Sequence, residues 1–120
     1  MAIRSRTEVN GTIAIIELKG VQFGDKEIDR FRETVADFLE QGIKCLVVDL
    51  RKVNYFNSSG LGALIAAHTT YSKIGGEVKL AGLSNNVQHL LIMTKLIDVF
   101  DVFDDIDEAI DGFLKMKSIK

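Results

Sequence analysis

Apolar residues recur along this chain in two distinct rhythms. Residues 3–9 and 12–19 are rich in Val, Ile and Thr and flank the pair Asn10-Gly11. Both residues of that pair tolerate positive φ, so the pattern predicts a β-hairpin. Past Gly20 and a short loop the period changes: Ile28, Phe31, Val35 and Phe38 with Leu39 return at three- and four-residue steps, with Asp29, Arg30, Arg32, Glu33, Asp37 and Glu40 between them. This spacing predicts an amphipathic helix over about residues 26–41, ended by Gly42. Residues 45–50, Cys-Leu-Val-Val-Asp-Leu, are apolar at nearly every position and read as a central strand buried on both faces.

A loop over residues 51–57 then leads into Ser58-Ser59-Gly60-Leu61-Gly62-Ala63-Leu64-Ile65-Ala66-Ala67, where the alanines, Leu64, Ile65 and His68 predict a helix packed closely on the sheet. Residues 77–82 alternate as a further strand. Val87, Leu90, Leu91 and Thr94 fit a short helix capped by Ser84 or Asn85, and residues 99–103 fit a short edge strand. The chain closes with a helix from about Asp105, its apolar face formed by Ile106, Ala109, Ile110, Phe113 and Leu114. The resulting order is ββαβαβαβα. A hairpin followed by alternating strands and helices predicts an α/β domain, a mixed β-sheet packed with about four α-helices.

Length and charge narrow the classes of function. At 120 residues, 47% of them apolar, the chain forms one domain, 1–120, able to hold a core without metals or disulfides. A net charge of −2, no basic block and nine scattered aromatic residues make nucleic acid an unexpected partner, because duplex binding needs a basic face to displace counterions. The single cysteine, Cys45, lies in an apolar run, is expected in the core and fits a reduced, cytoplasmic setting. No apolar stretch approaches the ~18 residues of a membrane span, and the N-terminal residues lack the apolar stretch of a signal peptide, so no direct membrane insertion is expected.

Chemistry concentrates between Asp49 and Gly62. The segment Asn57-Ser58-Ser59-Gly60-Leu61-Gly62 sets two hydroxyls past a strand and at the start of a helix, where sites of open α/β sheets tend to lie. One reading is capping, since a Ser or Asn before a helix satisfies an otherwise unpaired backbone N–H. A phosphate-binding loop requires GxxxxGK[ST] or GxGxxG, and Gly60-Leu61-Gly62 supplies only two of those glycines with no following lysine. A hydrolase elbow requires GxSxG, and neither serine has those flanks. A remaining reading is that a serine here is itself phosphorylated. Elsewhere, His68 and His89 have no second ligand at metal spacing and read as partly buried surface residues. Asp98, Asp101, Asp104, Asp105, Asp107 and Asp111 match no EF-hand loop, whereas Asp105 with Glu108 resembles a capping box. No catalytic residue, cofactor or metal site is expected.

From the hairpin to the last helix, the chain resembles the STAS family, the sulfate-transporter and anti-sigma-factor-antagonist domain, and within it the stand-alone anti-anti-sigma factors of bacteria. The resemblance rests on Leu18-Lys19-Gly20, Leu46-Val47-Val48-Asp49-Leu50, Asn57-Ser58-Ser59-Gly60-Leu61-Gly62, Gly76-Glu77-Val78-Lys79-Leu80, and residues 91–103 running into Glu108-Ala109-Ile110. It implies a STAS-like domain that acts as a protein switch. The unphosphorylated antagonist would bind an anti-sigma serine kinase of the histidine-kinase-like ATPase fold and so release a sigma factor. That kinase would phosphorylate Ser59, and a PP2C-type phosphatase would reverse it. Ser58 would cap or shape the loop. The partner face would comprise Tyr55, Phe56, Asn57, Ser58, Ser59, Gly60 and Leu61, with exposed Val53, Asn54, Tyr55 and Phe56 adding apolar contacts. Asn57 stands where the family usually has Asp, which preserves the shape and capping and removes a negative charge. Two other classes compete: an accessory or scaffold subunit of a transporter or stress-signalling complex, and a small hydrolase using Ser59.

Overall fold

The computed structural model describes residues 2–23 and 26–118; Met1, Ile119 and Lys120, the outermost positions of the expected domain, and Gly24 and Asp25, in the expected loop, lie outside it. The elements follow the expected order: β1 (Ala2–Glu8), β2 (Ile13–Phe23), α1 (Lys26–Glu40), β3 (Cys45–Phe56), α2 (Ser58–Lys73), β4 (Glu77–Ala81), α3 (Asn85–Met93), β5 (Asp101–Phe103) and α4 (Ile106–Ser118). They build one five-stranded sheet in the order β1-β2-β3-β4-β5. Only the β1–β2 hairpin is antiparallel; each later pair is parallel and joined by a crossover helix.

The hairpin turn is wider than its Asn-Gly pair predicts. Glu8 pairs with Ile13, so residues 9–12 form the connection. Val9, Asn10 and Gly11 are all left-handed, with φ of 54°, 57° and 76°. Thr12 closes the turn by donating its N–H to Glu8 O at 3.2 Å and its hydroxyl to Val9 O at 2.7 Å.

Two apolar layers sandwich the sheet. Ala14, Ile16 and Leu18 of β2, Leu46, Val48 and Leu50 of β3, and Val78 and Leu80 of β4 share a cluster with the inner faces of α1, α2 and α3. On the other side, Ile13, Ile15, Val47 and Ala81 pack against Ala109 and Phe113 of α4. The unbroken apolar run of β3 is thereby explained, since both of its faces are covered. Cys45 is partly buried and packs at the margin of this second cluster.

Lys79 departs from the expected strand pattern. It points into the α4 face at 2% exposure, hydrogen-bonded to Glu77 and, at 2.9 Å, to Asp101. Its ammonium lies 4.7 Å from the ring centre of Phe113 and 5.2 Å from that of Phe103. Burial works to lower its pKa, but the hydrogen bonds and charges of Glu77 and Asp101 outweigh it and hold the group above the ordinary lysine value. An alternating strand hides such a residue from sequence reading, because Glu77 is its only partner on β4 and the others, Asp101, Phe103 and Phe113, come from β5 and α4.

The principal correction concerns residues 51–57. A loop was expected there, yet β3 continues to Phe56, pairing Lys19 with Lys52, Gly20 with Val53, Gln22 with Tyr55 and Phe23 with Phe56. The register slips by one residue between Glu17 and Lys19, so β3 carries a bulge, and Arg51 and Lys52 are exposed in succession. That polar doublet breaks the two-residue period and makes a bulged strand look like a loop. β2 likewise runs on through Gly20 to Phe23, where a loop was expected. The last rung of β4 is Ala81 with Asp49, so β2 and β3 project beyond their neighbour as a two-stranded arm.

Candidate functional site

The arm delivers the chain to the edge of the sheet from which α1, α2 and α3 all begin, because each of these helices follows a parallel strand and runs back along it. Phe56, the last residue of β3, is 2% exposed and anchors the arm in the main core. Asn57 follows in extended geometry (φ −85°, ψ 177°) and caps α2, its Oδ1 accepting from Gly60 N–H at 2.8 Å. Its backbone carbonyl accepts from Leu61 N–H at 3.0 Å. Asn57 is therefore the cap. Ser58, expected to cap or shape the loop, instead occupies the first helical position with its side chain exposed.

Ser59, one residue on, is also exposed. The backbone N–H groups of a first helical turn and the aligned peptide dipoles favour negative charge. This turn contains no acidic residue to answer them. α4 is the counter-example: Asp107 and Glu108 lie in its first turn, Glu108 N–H donates to Asp105 Oδ1 at 2.9 Å, and Glu108 Oε2 accepts from Asp104 N–H at 3.1 Å. The acidic tract thus includes a capping box, its return bond reaching Asp104.

The expected partner-face residues divide by exposure. Tyr55 (55% exposed), Ser58 and Ser59 face outward, Asn57 and Leu61 are partly buried, and Phe56 and Gly60 are buried. The expectation that Val53 and Phe56 are exposed apolar contacts is overturned: at 1% and 2% exposure both belong to the core. The cause is the extension of β3, which turns these two side chains under the helices while Asn54 and Tyr55 remain outside.

One tie at this edge was not visible in the sequence. Ser84 caps α3, accepting from Val87 N–H at 3.3 Å, and also donates its hydroxyl to Val53 O at 2.9 Å. Val53 lies on the arm beyond the end of β4, so a side chain takes the place of a missing strand. The cap itself was legible as Ser84 before an apolar period; the reach to β3 depends on a contact 31 residues away in sequence.

The other candidates lie apart from this edge chemistry. His68 is partly buried, with its ring edge-on to Phe100 at 5.2 Å, and His89 is exposed. Tyr71, on the buried face of α2, is fully covered, and burial, with the charge of Cys45 adding to it, pushes its hydroxyl up to about 12. Among the described residues, no group of three or more His, Cys, Asp or Glu side chains could hold a metal ion. No described helix is long and apolar enough to cross a membrane.

Comparison with known proteins gives this geometry a family. The chain is 35% identical over 71 residues to the anti-sigma-B factor antagonist of Bacillus subtilis, a match spanning 59% of this chain and 64% of that protein's length, just under two thirds. Its fold superimposes on the anti-sigma factor antagonist SpoIIAA in both forms. For the unphosphorylated form the TM-score is 0.81 at 17% identity, covering 95% of this chain and 97% of the other. For the phosphorylated Bacillus protein it is 0.75 at 18% identity, covering 93% and 99%. A sulfate transporter family protein from Wolinella succinogenes has the same fold, with a TM-score of 0.78, 24% identity and coverage of 96% and 93%. The STAS domain model matches residues 4–109, most of the sheet and every crossover helix, and the chain belongs to the STAS domain family.

Proposed function

We propose that this protein is a cytoplasmic anti-sigma factor antagonist, a non-catalytic binding module switched at Ser59. Unphosphorylated, it binds an anti-sigma serine kinase of the histidine-kinase-like ATPase fold and frees the sigma factor that the kinase held. The observation that carries this reading is the exposure of Ser59 at the start of α2, in a first turn without acidic residues and four residues after exposed Tyr55. In the switching step Ser59 Oγ attacks the γ-phosphorus of ATP bound to the kinase. The new O–P bond forms as the bond to the β-phosphate oxygen breaks, ADP leaves, and the hydroxyl proton passes to a base on the kinase. A PP2C-type phosphatase returns the serine by hydrolysis.

Magnitudes explain why so small a change releases the partner. The phosphate adds about −1.5 to −2 charges, which the helix start stabilises by typically 0.3–1 kcal/mol, so the fold persists. Against a partner carboxylate at about 4 Å, each added unit charge costs up to ~4 kcal/mol at an effective dielectric near 20. A 100-fold loss of affinity needs only about 2.7 kcal/mol.

The test uses the wild-type chain and Ser59→Asp as parallel baits in lysate of the source cell, with phosphopeptide mapping of the chain recovered from that cell. A histidine-kinase-like ATPase on the wild-type bait alone, together with phosphate on Ser59, supports the switch. Retention of one transporter or scaffold subunit by both baits would transfer the protein to the accessory-module class.

A further inference from the structure

α2 contains a glycine that nothing within the chain requires. Gly62 is the fifth residue of a 16-residue helix, a position where glycine is the poorest choice after proline. Its φ is not positive, and a Cβ built on it meets no heavy atom within 4 Å. Gly112 in α4 shows what an internal reason looks like: a Cβ there would lie 2.9 Å from Phe103 Cζ and 3.4 Å from Lys79 Cε. Gly62 is exposed and three residues beyond Ser59, which places the two on one face of α2, separated by about 4.5 Å along the axis.

We infer that Gly62 is the contact point at which the main chain of the Ser59 kinase lies against α2, the missing methyl allowing the kinase to close on the serine. The inference rests on the function proposed above and adds to it a residue that determines partner fit. Serine is a short side chain, so phosphoryl transfer requires the kinase to bring ATP to within about 3–3.5 Å of an oxygen held close to the helix backbone. A cleft that receives the first turn of a helix some 10–12 Å wide must also meet the next exposed position on that face. That position is 62. Ser58 and Ser59 are small, Gly62 has no side chain, and Gly60, between them, is buried with its N–H given to Asn57. A side chain at 62 stands in the path of the partner while leaving the chain's own packing untouched.

The experiment compares wild type, Gly62→Ala, Gly62→Leu, Ser59→Asp and, as a control for added bulk elsewhere on the same helix, Ser72→Leu, whose position is exposed near the end of α2. The probe is the kinase recovered on the wild-type bait, titrated against each variant and supplied with ATP, while thermal unfolding is followed in parallel. Gly62→Ala is expected to melt at or above wild type and to lose at least tenfold in kinase affinity and in the rate of Ser59 phosphorylation. Gly62→Leu is expected to lose more, and Ser72→Leu to match wild type. Should Gly62→Leu bind within twofold of wild type while Ser59→Asp still abolishes binding, the contact is refuted and the switch stands. Should no such kinase be recovered on wild type, the proposed function fails and this inference with it.

Discussion

Asn57 answers one unpaired N–H at the start of α2 with a 2.8 Å hydrogen bond to Gly60, and a single oxygen does the capping. Asn57→Ala is therefore expected to lose about 1 kcal/mol, within a usual range of 0.5–2, whereas Asn57→Asp keeps the acceptor and stays close to wild type. Urea midpoints at constant m-value would measure both, and equal loss in the two variants would contradict the cap. A second single-residue effect is pH-dependent. Lys79's hydrogen bond to Asp101 holds that carboxyl below the usual aspartate value, opposed by burial. Its folded pKa is depressed, so the associated stability is fully present above the unfolded value near 4 and is lost as the pH falls through the folded value. Asp101 is 61% exposed, which keeps the effect at the small end of surface pairs, under ~1 kcal/mol. Stability measured from pH 7 down to pH 2 should show the gap between wild type and Asp101→Asn closing in acid; a constant gap would mean that the carboxylate charge is not what matters.

α4 illustrates how one helix can be fixed by a small number of close contacts. Phe113 and Ala109 fill the second apolar layer, and Gly112 lets the helix approach the ring of Phe103. Gly112→Ala should therefore destabilise by about 1–3 kcal/mol, the usual cost of forcing a methyl into a packed site, despite alanine's better helix propensity. Thermal melts of Gly112→Ala and Gly62→Ala should move in opposite directions, the first below wild type and the second level with it or above. Elements of this kind were legible where a period ran undisturbed. The α1 face of Ile28, Phe31, Val35 and Phe38 is buried as its spacing predicts, and the Ser84 and Asp105 caps stand where their side chains mark them. Legibility failed where one element borrowed from another. The bulge after Asp49 disguised the end of β3 as a loop and misassigned the exposure of Val53 and Phe56. The Lys79–Asp101 ion pair and the Ser84–Val53 bond join segments 22 and 31 residues apart in sequence. At the candidate site the serines and their helix were readable from Asn57-Ser58-Ser59-Gly60, but which residues face out depended on the register of β2 against β3.

Across the whole molecule, the switch proposed at Ser59 poses the question whether a phosphate there would act by reshaping the domain or by repelling a partner. The main core lies beneath the first turn of α2 and is closed there by Phe56, Ala63 and Leu64, none more than 2% exposed, while Ser59 points away from it. A charge placed outside such a core, at a helix end whose dipole favours it, has no packed contact to break. Backbone NMR shifts of the serine and phosphoserine forms should therefore agree outside residues 55–64 and their immediate neighbours, and widespread changes would replace repulsion with a conformational switch. Repulsion makes one further demand. The second pKa of a phosphoserine lies near 6, so its charge falls from about −2 towards −1 between pH 7.5 and 5.5. Any affinity deficit of the phosphorylated chain for the proposed kinase should shrink over that interval, by on the order of tenfold or more if a carboxylate stands within about 4 Å and remains ionised. Ser59→Asp, whose carboxylate is already ionised throughout that range, should show no such recovery. Parallel titrations of both forms at the two pH values separate the alternatives, because a reshaped α2 would disfavour the partner by the same factor at each.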